Sequence, residues 1–428
     1  MAHSIISISD SQVNGADQVL VADSNSKIPA VDGSQLTLLN ATTVTSGTIA
    51  SARLDVGTTA NKIIQLDGNA KLPAVDASQL TGIVSATISA NDPTISTNPS
   101  GGVGTEWNNS TSGEMYICTD ATAGANVWTN VGAGSGDISP YVFQGTQYGF
   151  SMCGNHPNTN VIQKYSYTSD ANATDVADCT NSVQGPQGGR SKTHGYSAGG
   201  ETTTDVINKF SFTDGNNATD IGNLTVARAM WGGQGASSGD AVYWHGGDPS
   251  NKDVIDKRVT ASDGDATDVG DLTAGRYGAA GATSDTHGYA CGGRHHPTDS
   301  STIERYAFAS DGNSVDTTAD LASATSNPFT SNSTTHIYIC GGHTGGSYSA
   351  DITKYAFGSS SDATDIGNLV GGVSGWGAGT SSTTYGYIHG GYPSYRNVIE
   401  KFSFSTDGNS TDVGDLATGV QSSSGSQY

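Results

Sequence analysis

The sequence predicts an all-β protein: residues 139–428 form a six-bladed β-propeller, preceded by an extended, β-rich stalk over 1–95 and a small hairpin-like unit over 96–135. Three observations predict it: a polar composition with little charge, a unit that recurs six times in the C-terminal two-thirds, and a second, thinner repeat upstream.

Of the 428 residues, 34% are hydrophobic, 14% are charged and 58 are Gly. Low apolar content leads to disorder when it comes with high charge. Here the remainder is mostly small and uncharged, Ser, Thr, Asn and Gly, which points to turn-rich β structure.

The repeat carries the fold prediction. Its first mark is an apolar run closed by a glycine pair: YGFSMCGN (148–155, second Gly replaced), HGYSAGG (194–200), AVYWHGG (241–247), HGYACGG (287–293), HIYICGG (336–342) and YGYIHGG (385–391). After a loop comes the second mark: VIQKYSY (161–167), VINKFSF (206–212), VIDKRVT (254–260), TIERYAF (302–308), DITKYAF (351–357) and VIEKFSF (398–404). The third is a turn and short strand such as DGDATDVGDL (263–272). The first Gly of each pair falls at 154, 199, 246, 292, 341 and 390, a period of 45 to 49 residues. A four-stranded antiparallel blade with its turns needs about 40–50 residues.

Each unit therefore reads as four strands. The innermost is glycine-rich, as in MWGGQGA (230–236) and WGAGTSS (376–382), because strands crowd at the axis. The second carries the glycine pair, the third the Lys and aromatic residues, and the fourth follows the DG turn. The tail VQSSSGSQY (420–428) reads as an inner strand without a unit of its own, and is expected to complete the first blade.

The apolar strand ending in GG at a period near 50 resembles the kelch repeat over roughly residues 140–428, although the Trp usual in the later strands of that family is missing.

Upstream, QVLVADSNSKIPAVDGSQLT (18–37) realigns with KIIQLDGNAKLPAVDASQLT (62–81) at an offset of 44 residues. Such thin, polar copies cannot bury a core by themselves and become stable by winding identical chains together. The hairpin-like unit has Trp107, Tyr116 and Trp128 as its main apolar content. Its segment NSTSGEMYICTDATAGANVWTNVG (109–132), with SGTIASARL (46–54) and KLPAVDASQLTGI (71–83), looks like the shaft and collar of tailed-bacteriophage tail fibres. That resemblance implies a virion structural protein and homotrimer, attached to other virion proteins through its N-terminus and meeting the host surface with its distal domain.

Composition excludes several partners. A net charge of −22, shared by both halves, offers no basic surface for nucleic acid. No basic leader or membrane-length apolar run is present, so neither secretion by signal peptide nor membrane insertion is expected. The five Cys (118, 153, 179, 291, 340) stand at wide spacings without a CxxC and read as free core residues.

Residues that recur in every unit read as structural. Lys164, Lys209, Lys257, Arg305, Lys354 and Lys401 share one position, and Asp175, Asp220, Asp268, Asp316, Asp365 and Asp412 another. Both series are expected to make charge pairs or turn hydrogen bonds within each blade. The DGNxTD turns have calcium-loop chemistry without the distal Glu of an EF-hand. Cys153, Ala198, His245, Cys291, Cys340 and His389, which precede the glycine pairs, suggest a metal ring. Sheets packed about 10 Å apart cannot bring them to one ion, so they read as inter-blade filling.

Chemistry has little support: GxSxG, HExxH and phosphate-cradling loops are missing, and no cofactor is expected. A sialidase-like cluster of Arg228, Arg276 and Arg396 is the remaining catalytic reading.

Positions that break the repeat are more informative. The loops between second and third strands, 155–160, 201–205, 248–253, 294–301, 343–350 and 392–397, are expected on one rim. There His156, His295, His296, His343, Tyr348, Tyr392, Tyr395 and Arg396 offer aromatic faces and hydrogen-bonding groups suited to a sugar or protein receptor. The leading expectation is a non-enzymatic tail fibre binding a host-surface glycan or protein through this rim. The alternatives are a purely architectural virion component and a glycan-cleaving propeller enzyme.

Overall fold

The computed structural model describes residues 86–132, 141–155, 158–201, 204–372 and 375–428, and these are all β with no helix among them. The thin repeat at 18–37 and 62–81, read as a stalk, lies outside the described residues.

The first sheet has four strands, Thr87–Ser89, Glu106–Asn109, Met115–Asp120 and Val127–Asn130, in sequence order. The first pair is parallel and the others antiparallel. Tyr116, Cys118 and Trp128 are buried at its centre, and Trp107 meets Trp128 edge to face at 5.7 Å. Thr87–Ser89 falls within the segment read from sequence as stalk. A three-residue polar strand carries no alternation to reveal it, and it joins the unit through backbone pairing with Trp107–Asn109.

Six four-stranded antiparallel sheets follow. Sheets one to six have as their third strands Asn158–Ser166, Val206–Ser211, Lys252–Val259, Thr302–Ala307, Asp351–Ala356 and Val398–Ser403. Sheets two to six are simple meanders. Sheet one takes its innermost strand from the C-terminal tail: Ser424–Gln427 pairs with Gly149–Met152, as expected for residues 420–428. The other innermost strands are Gln187–Arg190, Ala236–Ser237, Ala280–Thr283, Phe329–Asn332 and Ala378–Ser381. They are shorter than the segments read from sequence, since Trp231 and Trp376 fall ahead of them.

Three closed circuits of hydrogen bonds run from each sheet to the next and back to the first. In the innermost, one backbone N–H per sheet donates to the matching carbonyl of the sheet before it: Met230 to Gly185, Gly278 to Met230, Asn327 to Gly278, Trp376 to Asn327, Ser422 to Trp376 and Gly185 to Ser422. The second links the fourth strands: the N–H of Ala173, Ala218, Ala266, Ser314, Ala363 and Ser410 donates to the carbonyl of Asp415, Asp178, Asn223, Asp271, Asp320 and Asn368. The third returns from those same strands to turn side chains. The N–H of Asp415, Asp178, Asn223, Asp271, Asp320 and Asn368 donates to Asn172, Asn217, Asp265, Asn313, Asp362 and Asn409 at 2.9–3.1 Å. The Asn or Asp of each DGN-type turn is therefore a clamp on its neighbour.

The recurring Lys residues also act between sheets, where the sequence reading put them within one. Lys209 pairs with Asp263, Lys257 with Asp311, Lys354 with Asp407 and Lys401 with Asp170, each on the adjacent sheet's turn. The third strand is flanked within its own sheet by the second and fourth strands, and the carboxylate that the Lys meets is on the neighbouring sheet's turn. The recurring Asp series stays local: Asp220, Asp268, Asp365 and Asp412 accept from the Gly N–H two residues on.

Hydrophobic clusters lie between successive sheets, for example Tyr196, Ile207, Met230, Val242 and Trp244. The glycine pairs allow this packing. Gly246 and Gly247 have φ of 66° and 132°, and a Cβ on Gly246 would collide with the Arg276 carbonyl of the next sheet. His245, Cys291, Cys340 and His389, beside the pairs, are buried in the same clefts, and the five Cys are free and buried.

Candidate functional site

The loops after the glycine pairs converge at one end of the innermost strands. The residue following the last glycine of each second strand bonds back to a lead-in segment: Asn155 with Gln421, Glu201 with Gln184, Asp248 with Ala229, Arg294 with Tyr277, His343 with Ser326 and Tyr392 with Gly375. These contacts frame a pocket of about 640 Å³ on which residues of all six sheets border. Small-molecule sites are commonly about 300–1,000 Å³.

Five aromatic residues give the pocket its apolar wall: Trp231, Tyr277, Tyr348, Trp376 and Tyr392. Tyr348, Trp376 and Tyr392 form a triangle with ring centroids 5.2–5.6 Å apart. Burial raises the phenol pKa of Tyr348 and of Tyr277 further above neutral. Trp231 and Trp376 hold left-handed backbones, φ 61° and 56°. Bulky side chains rarely adopt that region, and such outliers gather at ligand sites. At the place Trp376 takes in the inner circuit, sheets two and four carry Gly185 and Gly278.

The polar wall includes Asn155, Gln184, Asp248, Arg294, His343 and Ser422. The Asn155 side chain donates to Gln184 at 2.6 Å. Arg294 is held by Asp299 at 3.2 Å and by the Pro297 carbonyl at 3.1 Å. Among the described residues, Ser326 Oγ, Ser422 Oγ and Gln421 Oε1 are buried atoms without a hydrogen-bond partner. Buried polar atoms are normally satisfied, so a cluster of exceptions at one pocket is informative.

Beneath the pocket, the space between the innermost strands is filled. Gln234 of sheet three donates to the Gly379 carbonyl of sheet six, and Gln187 donates to the Ala279 carbonyl of sheet four. Below them lies the segment that leads into sheet one. Arg190 and Gln427 donate to the Phe143 carbonyl at 2.6 and 2.9 Å, and Gln144 donates to Asn332 at 2.8 Å. The pocket is therefore blind, and opens at the end away from Tyr141–Gln144.

Of the residues singled out from sequence, His343, Tyr348 and Tyr392 line this pocket. Four others stand outside its lining. His295 is exposed and donates from Nδ1 to Gly275 at 2.7 Å, and His296 is exposed. Tyr395 is also exposed, whereas Arg396 turns inward to Glu400 at 3.3 Å and the Gly372 carbonyl. His156 lies outside the described residues. Sequence reasoning missed Trp231, Tyr277, Trp376, Asp248 and Arg294. One signal was available: the residue after the last glycine of each of these strands is Asn155, Glu201, Asp248, Arg294, His343 or Tyr392, differing in every copy of an otherwise regular repeat.

The three arginines read as a sialidase-like cluster are dispersed. Arg228 pairs with Asp256, Arg276 with Glu304 and Arg396 with Glu400, each inside its own sheet and its connections. Glycoside hydrolysis ordinarily uses two facing carboxylates; among the described lining residues Asp248 is the one carboxylate. No group of three or more His, Cys, Asp or Glu gathers into a metal cluster among the described residues.

No protein-family model matches the chain, and no curated protein matches it.

Proposed function

We propose that this chain is a structural component of a virion fibre that recognises a bacterial surface receptor without chemical turnover, and that its six C-terminal sheets are the blades of a kelch-like propeller. The three closed hydrogen-bond circuits and the pairing of the C-terminal strand with sheet one support the propeller. The observation that carries the recognition reading is the blind pocket with five aromatic walls, open at the end away from Tyr141, where the chain leads into the sheets. A distal domain that meets a surface needs its binding groups on the face turned away from its tether.

Trimerisation and N-terminal attachment to the virion belong to the same proposal. They rest on the upstream repeat and on Ile88, Val103 and Val131 of the small sheet, which are more than half exposed and would be covered by identical chains.

The test is binding of the labelled full chain to a panel of bacterial strains, with the Y392A variant in parallel. Saturable binding to some strains, weakened by Y392A without a change in melting temperature, is the expected result. Failure to bind any strain, together with specific capture by purified virion proteins through the pocket face, would favour a purely architectural role.

A further inference from the structure

We propose that the axial pocket takes the terminal residue of a neutral glycan, an uncharged pyranose entering end-on; this deepens the receptor-recognition reading and rests on it. Four observations lead there.

The first is shape. The pocket is closed below by Gln234 and Gln187, so a chain end can enter but a polymer cannot thread through. A protein receptor would need an interface of about 1,200–2,000 Å² in total, whereas this concavity has the size of a small-molecule site.

The second is the pairing of aromatic faces with unsatisfied polar atoms. A pyranose presents weakly positive C–H groups on its faces, complementary to the negative face of an indole or phenol ring, and hydroxyls around its rim. The triangle of Tyr348, Trp376 and Tyr392 supplies the faces. The wall residues Ser326, Ser422 and Gln421 carry side-chain oxygens without a partner and shut off from solvent, which rotation of the side chain would turn to a sugar hydroxyl. A purely apolar ligand would leave these atoms unpaired.

The third is charge. An acidic sugar calls for a cation free to pair with its carboxylate. The Arg294 guanidinium is committed to Asp299 and Pro297, and Asp248 adds a negative charge to the wall. The balance disfavours a carboxylate.

The fourth is the backbone at Trp376. A left-handed residue in the inner circuit is Gly in sheets two and four, and replacing it by Trp places an indole over the pocket at a conformational cost. The backbone bonds of the circuit do not call for an indole: they form through Gly185 and Gly278 in sheets two and four, and through Asn327 and Ser422 in sheets five and one.

The test is titration of the full chain with methyl glycosides of neutral hexoses and N-acetylhexosamines, with N-acetylneuraminic acid in parallel. Tryptophan fluorescence and saturation-transfer NMR provide the readout. At least one neutral sugar should give a saturable signal, at least about tenfold stronger than the acidic sugar. W376G should weaken it about tenfold or more without lowering the melting temperature, and Y395A should leave it unchanged. Equal or tighter binding of the acidic sugar, retention of the neutral signal in W376G, or no saturable signal from any neutral sugar would overturn the assignment. Cell binding separates the two levels. If the chain binds bacteria, neutral sugars do not compete and proteinase treatment of the cells abolishes binding, the ligand class is wrong while recognition stands. If a neutral sugar binds the pocket but no cells are bound, the ligand class stands and the recognition reading fails.

Discussion

Arg228 and Asp256 lie 2.7 Å apart with both side chains shut off from solvent. Asp256 also accepts from the Thr225 N–H and hydroxyl, and Arg228 donates to the Gly246 carbonyl, so the pair ties the connection from sheet two to the second and third strands of sheet three. Removing one partner strands the other charge in an apolar cleft. D256A is expected to lose about 3–5 kcal/mol in urea denaturation, whereas the double variant R228M/D256L should recover most of it. A single variant as stable as the native chain would show that the pair is dispensable.

Two buried imidazoles make stability depend on acid. Burial holds His389 down at about 3, and burial, with Arg276 and Arg228 nearby, does the same for His245. In the unfolded chain each titrates near about 6.5. Between those values the unfolded state binds a proton that the folded state refuses. The stabilisation is therefore complete above about pH 6.5 and declines as pH falls toward 3, at up to about 1.4 kcal/mol per pH unit for each residue. H389F keeps the ring volume, and Tyr165 retains its hydrogen bond to Thr380 at 2.6 Å. Denaturation at pH 7 and pH 5 should show a shallower acid dependence in H389F than in the native chain.

Trp376 opposes stability to function. Its left-handed backbone costs roughly 1–2 kcal/mol for an L-residue other than Gly. Glycine would remove that cost and forfeit the half-buried ring contacts to Tyr348 and Tyr392. W376G is accordingly expected to melt no lower than the native chain by calorimetry, while losing pocket binding. A markedly lowered melting temperature would mean that the indole is there for packing.

The repeat made the strands legible because each mark reports a physical need: apolar alternation for burial, paired Gly for the close approach to the next sheet, and Asn or Asp for the turn. It could not report contacts between units, since a Lys recurring every 45 to 49 residues looks the same whether its carboxylate lies in its own sheet or the next. Lys401 meeting Asp170, from sheet six to sheet one, is the plainest instance. The pocket was legible only in part for the same reason. Trp231, Tyr277, Trp376 and Tyr392 come from sheets three, four and six, and the circuit of sheets brings them to one pocket. Polar loop residues such as His295 and Arg396 look equally suited to a ligand until their own hydrogen bonds are known.

The last nine residues tie sheet six to sheet one. Ser424–Gln427 is the inner strand of sheet one, and the Tyr428 carbonyl accepts from the N–H groups of Thr146, Gln147 and Tyr148 at 2.7–3.0 Å. Ser422 supplies one link of the inner circuit and takes part in two of its six bonds, and the Tyr428 ring stacks on Phe212 at 5.2 Å. Removing residues 420–428 would expose the strand Tyr148–Asn155 as an unpaired apolar edge, a template for aggregation. The truncated chain is expected to be insoluble or to lose cooperative melting. The single change S422G keeps the left-handed position, φ 53°, and should be neutral or stabilising by up to about 1 kcal/mol. A truncated chain that melts with the midpoint and cooperativity of the intact one would show that sheet one stands without its innermost strand, and that the inner circuit does not hold the six sheets together.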